Sequence, residues 1–399
     1  MKVYLTGTGT DGCRTLTAEA AEAISGAELL IGAKRMLAPY ADAGKELVCA
    51  YQPERIAGAL RSSRAECAAV LLSGDSGFFS GAKRLLPLLH GFDVTVLPGI
   101  SSMTALCAKC GISYENMRVY SLHGTESAVA VHAKTNRYCF FLLGGSRNAG
   151  AVCRCLVDYG LADAAVHIGM NLGYETERIL HGTASDFTDL PEEPLTVLVT
   201  DNPAYQRDLP SAIPDAAFLR GGVPMTKAEV RCNAVSALHI AHDAVFWDIG
   251  CGTGSVSVEA AFRCPDGQVF AFDQREEAVA LTEQNARRFS CDNITAVNGS
   301  CPGVLRDYPA PDAVMIGGSG GSLPEILAET ARRNPKAKIA LTAVSLETLA
   351  QAVPLFARYC GDFQTVQIAV TRTKRVGSHT MPDVQNPVWL ISGGLRCSG

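Results

Sequence analysis

The sequence predicts an α/β protein of more than one domain. Three observations carry that class. Short apolar runs of strand character alternate with helix-length segments almost from end to end. Glycine-bearing turns follow several of the runs, at the strand ends where open α/β sheets place their ligands. A proline-bearing stretch, "NPAYQRDLPSAIPDAAF", interrupts the alternation once. At 399 residues the chain is long enough for two or three hydrophobic cores.

The elements follow in order. "KVYLTG", "ELLIG", "AAVLLSG" and "DVTVLPG" read as strands, and "LTAEAAEAISGA", "PERIAGALRSS", "SGAKRLLPLL" and "SSMTALCAKCG" as the helices between them. Strands that are apolar throughout, separated by helices, imply a mostly parallel sheet covered on both faces. Residues 113 to about 203 form a second block. Its strands are "RYCFFLLGG", "ERILHGTASDF" and "LTVLVTD", and its helix is "NAGAVCRCLVDYG" with Gly160 as the stop. The boundary falls near residue 210, giving domains at 1–203 (subdomains about 1–112 and 113–203) and 217–399, with a linker at 204–216. From 217 the alternation restarts and runs to "FQTVQIAVTR" and "PVWLISGG". These two have no helix between them, so they are expected to close a seven-stranded sheet as an antiparallel edge pair.

Composition narrows the function. A net charge of −5 does not favour nucleic acid as a partner. The N-terminus reaches glycine before a signal-peptide core could form, and no apolar stretch is long enough to span a bilayer, so a cytoplasmic location is expected. In that compartment the 15 cysteines read as small buried residues rather than disulfides. Cys107 and Cys110 form a C-x-x-C, but no second pair and no histidine cluster stands nearby in sequence, so no metal is expected.

The most informative stretch is "WDIGCGTGS". Gly250, Gly252 and Gly254 are spaced G-x-G-x-G, with Asp248 before them and Asp273 at the end of the next strand. A phosphate-binding P-loop needs a lysine that is missing here, and a dinucleotide loop needs G-x-G-x-x-G. A carboxylate at Asp248 repels phosphate and suits a cation, and Asp273 is placed to accept two ribose hydroxyls. The stretch resembles motif I of the class I, Rossmann-like methyltransferases. With "GGVPMTKAEVR", "PDAVMIGGSGG" and "NPVW", residues 217–399 resemble the decarboxylating methyltransferases of cobalamin biosynthesis that act at carbon 15 of the corrin precursor. The resemblance implies that Thr226, Asp248, Gly250, Cys251, Gly252, Thr253, Gly254, Asp273 and Cys301 bind S-adenosylmethionine. The family's G-D-A-P turn departs here to "NGSCP". Ser300 replaces the aspartate and Cys301 the alanine, leaving Ser300 at most one hydrogen bond to adenine.

The first glycine loop, "VYLTGTGTDG", carries its acid, Asp11, after the glycines. Together with "SGDSGFF", "PGISS", "VYSLHG" and "LGYETERILHG" it resembles the tetrapyrrole methylases. That resemblance implies two α/β subdomains with S-adenosylmethionine in the cleft between them. Gly74, Asp75, Ser101 and Ser102 would lie near the cofactor, Thr8 and Gly9 at the cleft floor, and Leu143 and Met170 on its walls. Thr10 and Asp11 replace the family's usual proline-bearing context. Both halves together imply a bifunctional S-adenosylmethionine-dependent methyltransferase of cobalamin biosynthesis. It would have two cofactor sites per chain, methylate carbons 5 and 15 of a reduced precorrin-6 or its cobalt form, and decarboxylate the ring C acetate. A homo-oligomer is expected on the same ground. Such a substrate carries many carboxylates, so cations should clamp it. The candidates are Arg372, Lys374, Arg375 and His379, read as an active-site loop, with Lys227 and Arg231, and with Lys34, Arg35 and His123 in the first half. Two readings stay open: a nicotinamide-dependent oxidoreductase, and a chain with one active methyltransferase half.

Overall fold

The computed structural model describes residues 1–124, 127–207 and 212–396; residues 208–211 of the expected linker lie outside them. Two compact units result. One comprises Met1–Thr125, Tyr138–Cys153 and Ala164–Asp201; the other comprises Glu126–Arg137, Arg154–Asp163 and Asn202–Gly399. The second unit thus recruits two segments from the first half of the sequence.

The first unit opens with β1 (Lys2–Gly7), β2 (Leu29–Gly32), β3 (Glu46–Cys49), β4 (Cys67–Leu72) and β5 (Asp93–Leu97). They form a parallel sheet in the order β3-β2-β4-β1-β5. Helices α1 (Ala18–Gly26), α2 (Lys34–Leu37), α3 (Pro53–Ser62), α4 (Ala82–Leu85) and α5 (Ser102–Cys110) intervene or follow. Val3 and Leu5 fill one core, while Leu30 and Leu71, with Tyr4 packed against them, fill another. Burial on both faces explains why these strands read as unbroken apolar runs.

A second sheet has the order β6-β7-β10-β8-β9. Its strands are β6 (Arg118–Ser121), β7 (Tyr138–Leu142), β8 (Ala165–Met170), β9 (Arg178–Thr183) and β10 (Thr196–Asp201). Only the β6–β7 pair is parallel. Strands β3, β6 and β8 were not read from the sequence; "ELVC" and "RVYS" are four-residue runs, too short to declare a period. Helices α6 (Ala130–Thr135) and α7 (Ala149–Asp158) belong to this stretch of sequence.

The second unit holds a seven-stranded sheet, β13-β12-β11-β14-β15-β19-β16. The strands are β11 (Val245–Ile249), β12 (Gln268–Asp273), β13 (Ile294–Asn298), β14 (Ala313–Ile316), β15 (Lys338–Ala343), β16 (Cys360–Ile368) and β19 (Val388–Leu395). Strand β19 inserts antiparallel between β15 and β16. Helices α8 (Ala228–Ala237), α9 (Ser255–Arg263), α10 (Glu276–Arg288), α11 (Leu323–Arg333) and α12 (Leu346–Tyr359) accompany them. Phe246 packs into one core and Trp247 into the other, so β11 is apolar on both sides. Each fully buried ring contributes about 2–3 kcal/mol. Among the described residues no helix is long and apolar enough to cross a membrane.

The stretch expected as an active-site loop is instead a hairpin of β17 (Thr371–Val376) and β18 (His379–Val384), turning at Gly377. Alternating polar residues on an exposed two-stranded ribbon leave no apolar face, so the strand signal was invisible in the sequence.

Candidate functional site

In the second unit, the strand order reverses beside β11, between β12 and β14. Ligands of open α/β sheets bind outside the carboxyl ends of such strands. The loop from Gly250 to Gly254 sits there. All three glycines are left-handed, and Gly252 shows why. Its φ is +56°, and a Cβ on it would lie 2.5 Å from the Pro224 carbonyl oxygen, so the P-M-T-K segment rests directly on the loop. Asp273 ties the loop to β12: its Oδ2 accepts from the Gly252 amide at 3.1 Å and its Oδ1 from the Arg275 amide at 3.0 Å. Asp248 is buried, and the Ser257 hydroxyl donates to its Oδ2 at 2.6 Å. Burial raises the Asp248 carboxyl from 3.8 to about 6; the Ser257 bond opposes the shift and the neighbouring Asp273 charge adds to it. Thr253 Oγ1 is buried and has no hydrogen-bond partner among the described residues.

This donor set suits a nucleoside that carries positive charge. Two buried carboxylates flank the loop and would repel a pyrophosphate. Cys251 is buried and meets Thr282 Oγ1 at 3.4 Å; Cys301 is half-buried, its thiol pushed up to about 12 by burial; Ser300 is exposed. Thr226 offers its carbonyl to Arg231 at 2.7 Å, and Lys227 caps α8.

Two clamp candidates need correction. Arg231 is fully buried, with Nε 2.6 Å from Glu259 Oε1, Nη1 3.3 Å from Asp215 Oδ1, Nη2 on the Ile213 carbonyl, and its guanidinium stacked on Phe218. A guanidinium so enclosed holds the fold and reaches no solvent-borne carboxylate. Arg372 is forked onto Glu229 at 3.0 and 2.6 Å and reaches Asp215 at 3.0 Å, so two carboxylates already neutralise it. It anchors the hairpin. Lys374 pairs with Asp383 at 2.7 Å on the surface, and Arg375 and His379 are exposed.

In the first unit a cavity of about 510 Å³ opens between its two sheets, a size that suits a cofactor-sized ligand. Gly74, Asp75, Ser102, Thr10, His123 and Leu143 line it. The Asp75 carboxylate joins two loops, accepting from the Gly77 amide at 2.7 Å and the Gly99 amide at 2.9 Å. Backbones converge there: a Cβ on Gly99 would meet the Gly74 carbonyl at 2.3 Å. Gly9 and Gly74 exchange backbone hydrogen bonds at 3.0 and 2.8 Å. Ser101 caps α5, accepting from the Thr104 amide at 3.0 Å. The Thr8 hydroxyl is buried and donates to the Leu72 carbonyl at 3.0 Å. Met170 is buried in the core and is not among the cavity's lining residues. Asp11 organises its own loop, its Oδ1 accepting from the amides of Cys13, Arg14 and Thr15. Arg35 is exposed and donates to Tyr174 and Ser73, both on the cavity wall, whereas Lys34 is exposed without a cavity contact.

Sequence reasoning passed over Phe79 and Tyr174. Phe79 lines the cavity, is 54% exposed, and holds a left-handed φ of 47°. A left-handed φ is uncommon for an aromatic side chain, so the backbone is strained there. The "FF" doublet after "SGD" was the available clue.

Two domain families match the chain: tetrapyrrole (corrin/porphyrin) methylases over residues 2–188 and the precorrin methyltransferase domain over residues 216–392. A probable cobalt-precorrin-6B C(15)-methyltransferase (decarboxylating) of Pyrobaculum calidifontis is 43% identical over 45% of this chain and 94% of its own length. A precorrin-6Y C(5,15)-methyltransferase [decarboxylating] of Sinorhizobium is 27% identical over 94% of this chain and 92% of its own. A crystal structure of precorrin-6y C5,15-methyltransferase from Geobacter metallireducens covers 47% of this chain and 100% of its own at 35% identity, with a TM-score of 0.44.

Proposed function

The chain belongs to the decarboxylating precorrin methyltransferases and carries a tetrapyrrole methylase domain ahead of that one; on this premise we propose that it is a bifunctional S-adenosylmethionine-dependent enzyme of corrin assembly. It methylates carbons 5 and 15 of a reduced precorrin-6, or the cobalt form, and removes the ring C acetate carboxyl as carbon dioxide. Residues 1–203 carry the carbon-5 reaction and 217–399 the carbon-15 reaction and decarboxylation, joined by the 204–216 linker. The observation that supports the reading best is that each half builds its own glycine-lined, acid-braced loop at strand ends.

The residues fit a bound cofactor at both loops. In the second half, the Gly250–Gly254 backbone, Asp273 and Thr226 would hold the nucleoside, with Asp248 supplying charge to its cationic part. In the first half, Gly74, Asp75, Thr10 and Ser102 would do so. When bound, S-adenosylmethionine supplies an electrophilic methyl on a sulfonium that leaves as a neutral thioether. A reduced tetrapyrrole meso carbon is enamine-like and already nucleophilic, so the chain's task is alignment and exclusion of water. The Phe79 ring offers a flat apolar face to a macrocycle, and Arg35 offers a guanidinium to its carboxylates. Loss of carbon dioxide leaves an electron pair that the conjugated macrocycle accepts. We extend the proposal to a cytoplasmic homo-oligomer, for which sedimentation is the test.

Mass spectrometry of reduced precorrin-6 after anaerobic incubation with the enzyme and S-adenosylmethionine tests the reading. Two added methyls with one carbon dioxide lost support it. One methyl with the carbon dioxide lost leaves only the second half active. Calorimetry with S-adenosylhomocysteine is expected to give two sites per chain.

A further inference from the structure

Cys110, His167 and His181 lie far apart in sequence, and the fold gathers them. Helix α5 packs on β8: Leu106 lies against Gly169, where a Cβ would sit 3.0 Å from the leucine Cδ1. One helical turn on from Leu106 is Cys110; two residues back along β8 from Gly169, on the same face, is His167. A helical step of four residues and a strand step of two cover nearly the same distance, about 6 Å each. His181 stands directly opposite His167 in the β8–β9 register. One ligand atom from each of the three residues lies within 4.8 Å of the others. The two Nδ1 atoms are 2.7 Å apart, hydrogen-bonded to one another. Cys110 and His167 are half-buried and His181 is exposed.

We propose that Cys110, His167 and His181 form a binding site for a borderline-soft divalent cation of the zinc class. One thiolate and two imidazoles are the ligand set such ions prefer, and solvent on the His181 side supplies the fourth position. Zinc–nitrogen bonds of about 2.0–2.1 Å put two imidazole nitrogens roughly 3.3 Å apart, so the histidine pair, 2.7 Å apart here, opens by about 0.6 Å when the ion enters. Burial and the neighbouring His181 lower the His167 imidazole. A thiol loses its proton when it ligates, so binding is expected to tighten as pH rises. The Asp201 carboxylate adds a negative field at His167. The ion would staple the end of α5 to the β8–β9 edge of the sheet, and the other end of that helix, Ser102, borders the cavity. This site does not depend on the proposed methyltransferase reaction.

The test is an anaerobic Co²⁺ titration of the chelator-stripped full chain, followed by absorbance and completed by Zn²⁺ competition. One equivalent is expected to produce a thiolate charge-transfer band and tetrahedral d–d bands, which Zn²⁺ abolishes. Losing an outer-shell partner of a metal ligand costs about 10–100-fold in affinity, so Cys110→Ser and His181→Ala should each lose at least that much. Cys49→Ser, which removes an exposed thiol elsewhere, should bind normally. His181 is exposed on an edge strand, so its variant keeps the test alive if Cys110→Ser fails to fold. A charge-transfer band that is absent, or that survives in either ligand variant, overturns the site.

Discussion

Asp248 is a carboxylate that the fold would hold more cheaply as a neutral group, and replacing it measures that cost. Moving a carboxyl from 3.8 to about 6 corresponds to about 3 kcal/mol between its charged and neutral forms. The folded pKa is the higher one. The penalty is therefore absent below about pH 4, where both states are protonated, and complete above about pH 6, where both are ionised. Asp248→Asn removes the charge and keeps an acceptor for Ser257. Its stability advantage over the parent should be about 1.6 kcal/mol at pH 5 and about 3 kcal/mol at pH 8, a growth of about 1.4 kcal/mol. Both tryptophans, Trp247 and Trp389, lie in the second unit, so urea unfolding followed by tryptophan fluorescence reports that unit alone. With a slope of about 2–3 kcal/mol per molar, the difference in midpoints should widen by roughly 0.5 M between the two pH values. An advantage of the same size at both would refute the reasoning. The same variant should lose S-adenosylhomocysteine at the second site, because the charge that strains the free protein is the one that meets the cofactor's cationic part.

Three further outcomes are expected. Arg231→Met should destabilise the second unit by about 3–5 kcal/mol, because Glu259 is left buried and charged, and Arg231→Met/Glu259→Gln should recover most of that loss; a double variant no more stable than the single would contradict the network. Gly252→Ala should reduce calorimetric stoichiometry from two S-adenosylhomocysteine molecules per chain to one, since a Cβ cannot share space with the Pro224 carbonyl. Phe79→Ala removes a half-exposed ring, so stability should change by less than about 0.5 kcal/mol; KM for the tetrapyrrole should rise in carbon-5 methylation and stay unchanged in carbon-15 methylation, as initial rates for each product would show.

Much of this was legible in the chain. Alternating apolar runs announced both α/β halves, and G-x-G-x-G with two acids separated the second loop from phosphate-binding turns. What escaped had physical reasons. A charged side chain reads the same whether it faces water or a buried partner, so Arg231 and Arg372 looked like substrate clamps until Glu259, Glu229 and Asp215 were seen beside them. The β17–β18 ribbon buries too little to leave a pattern. Cys110 appeared to belong with Cys107, but Cys107 is fully buried in the core, and its helix neighbour instead meets two histidines from distant strands.

The two segments that the second unit draws from early in the sequence bear on how the gene can be divided. The amides of Val129 and Val131 donate to Asp292 at 2.6 and 3.0 Å, and the Ser290 hydroxyl donates to the Tyr159 carbonyl at 2.8 Å. Scissors applied at the linker would cut where family resemblance changes, yet they would part the later piece from two segments that belong to its compact unit. The hereditary joint and the folding joint fall at different places. A chain divided at the linker would leave the Asp292 carboxylate and the Ser290 hydroxyl without these partners.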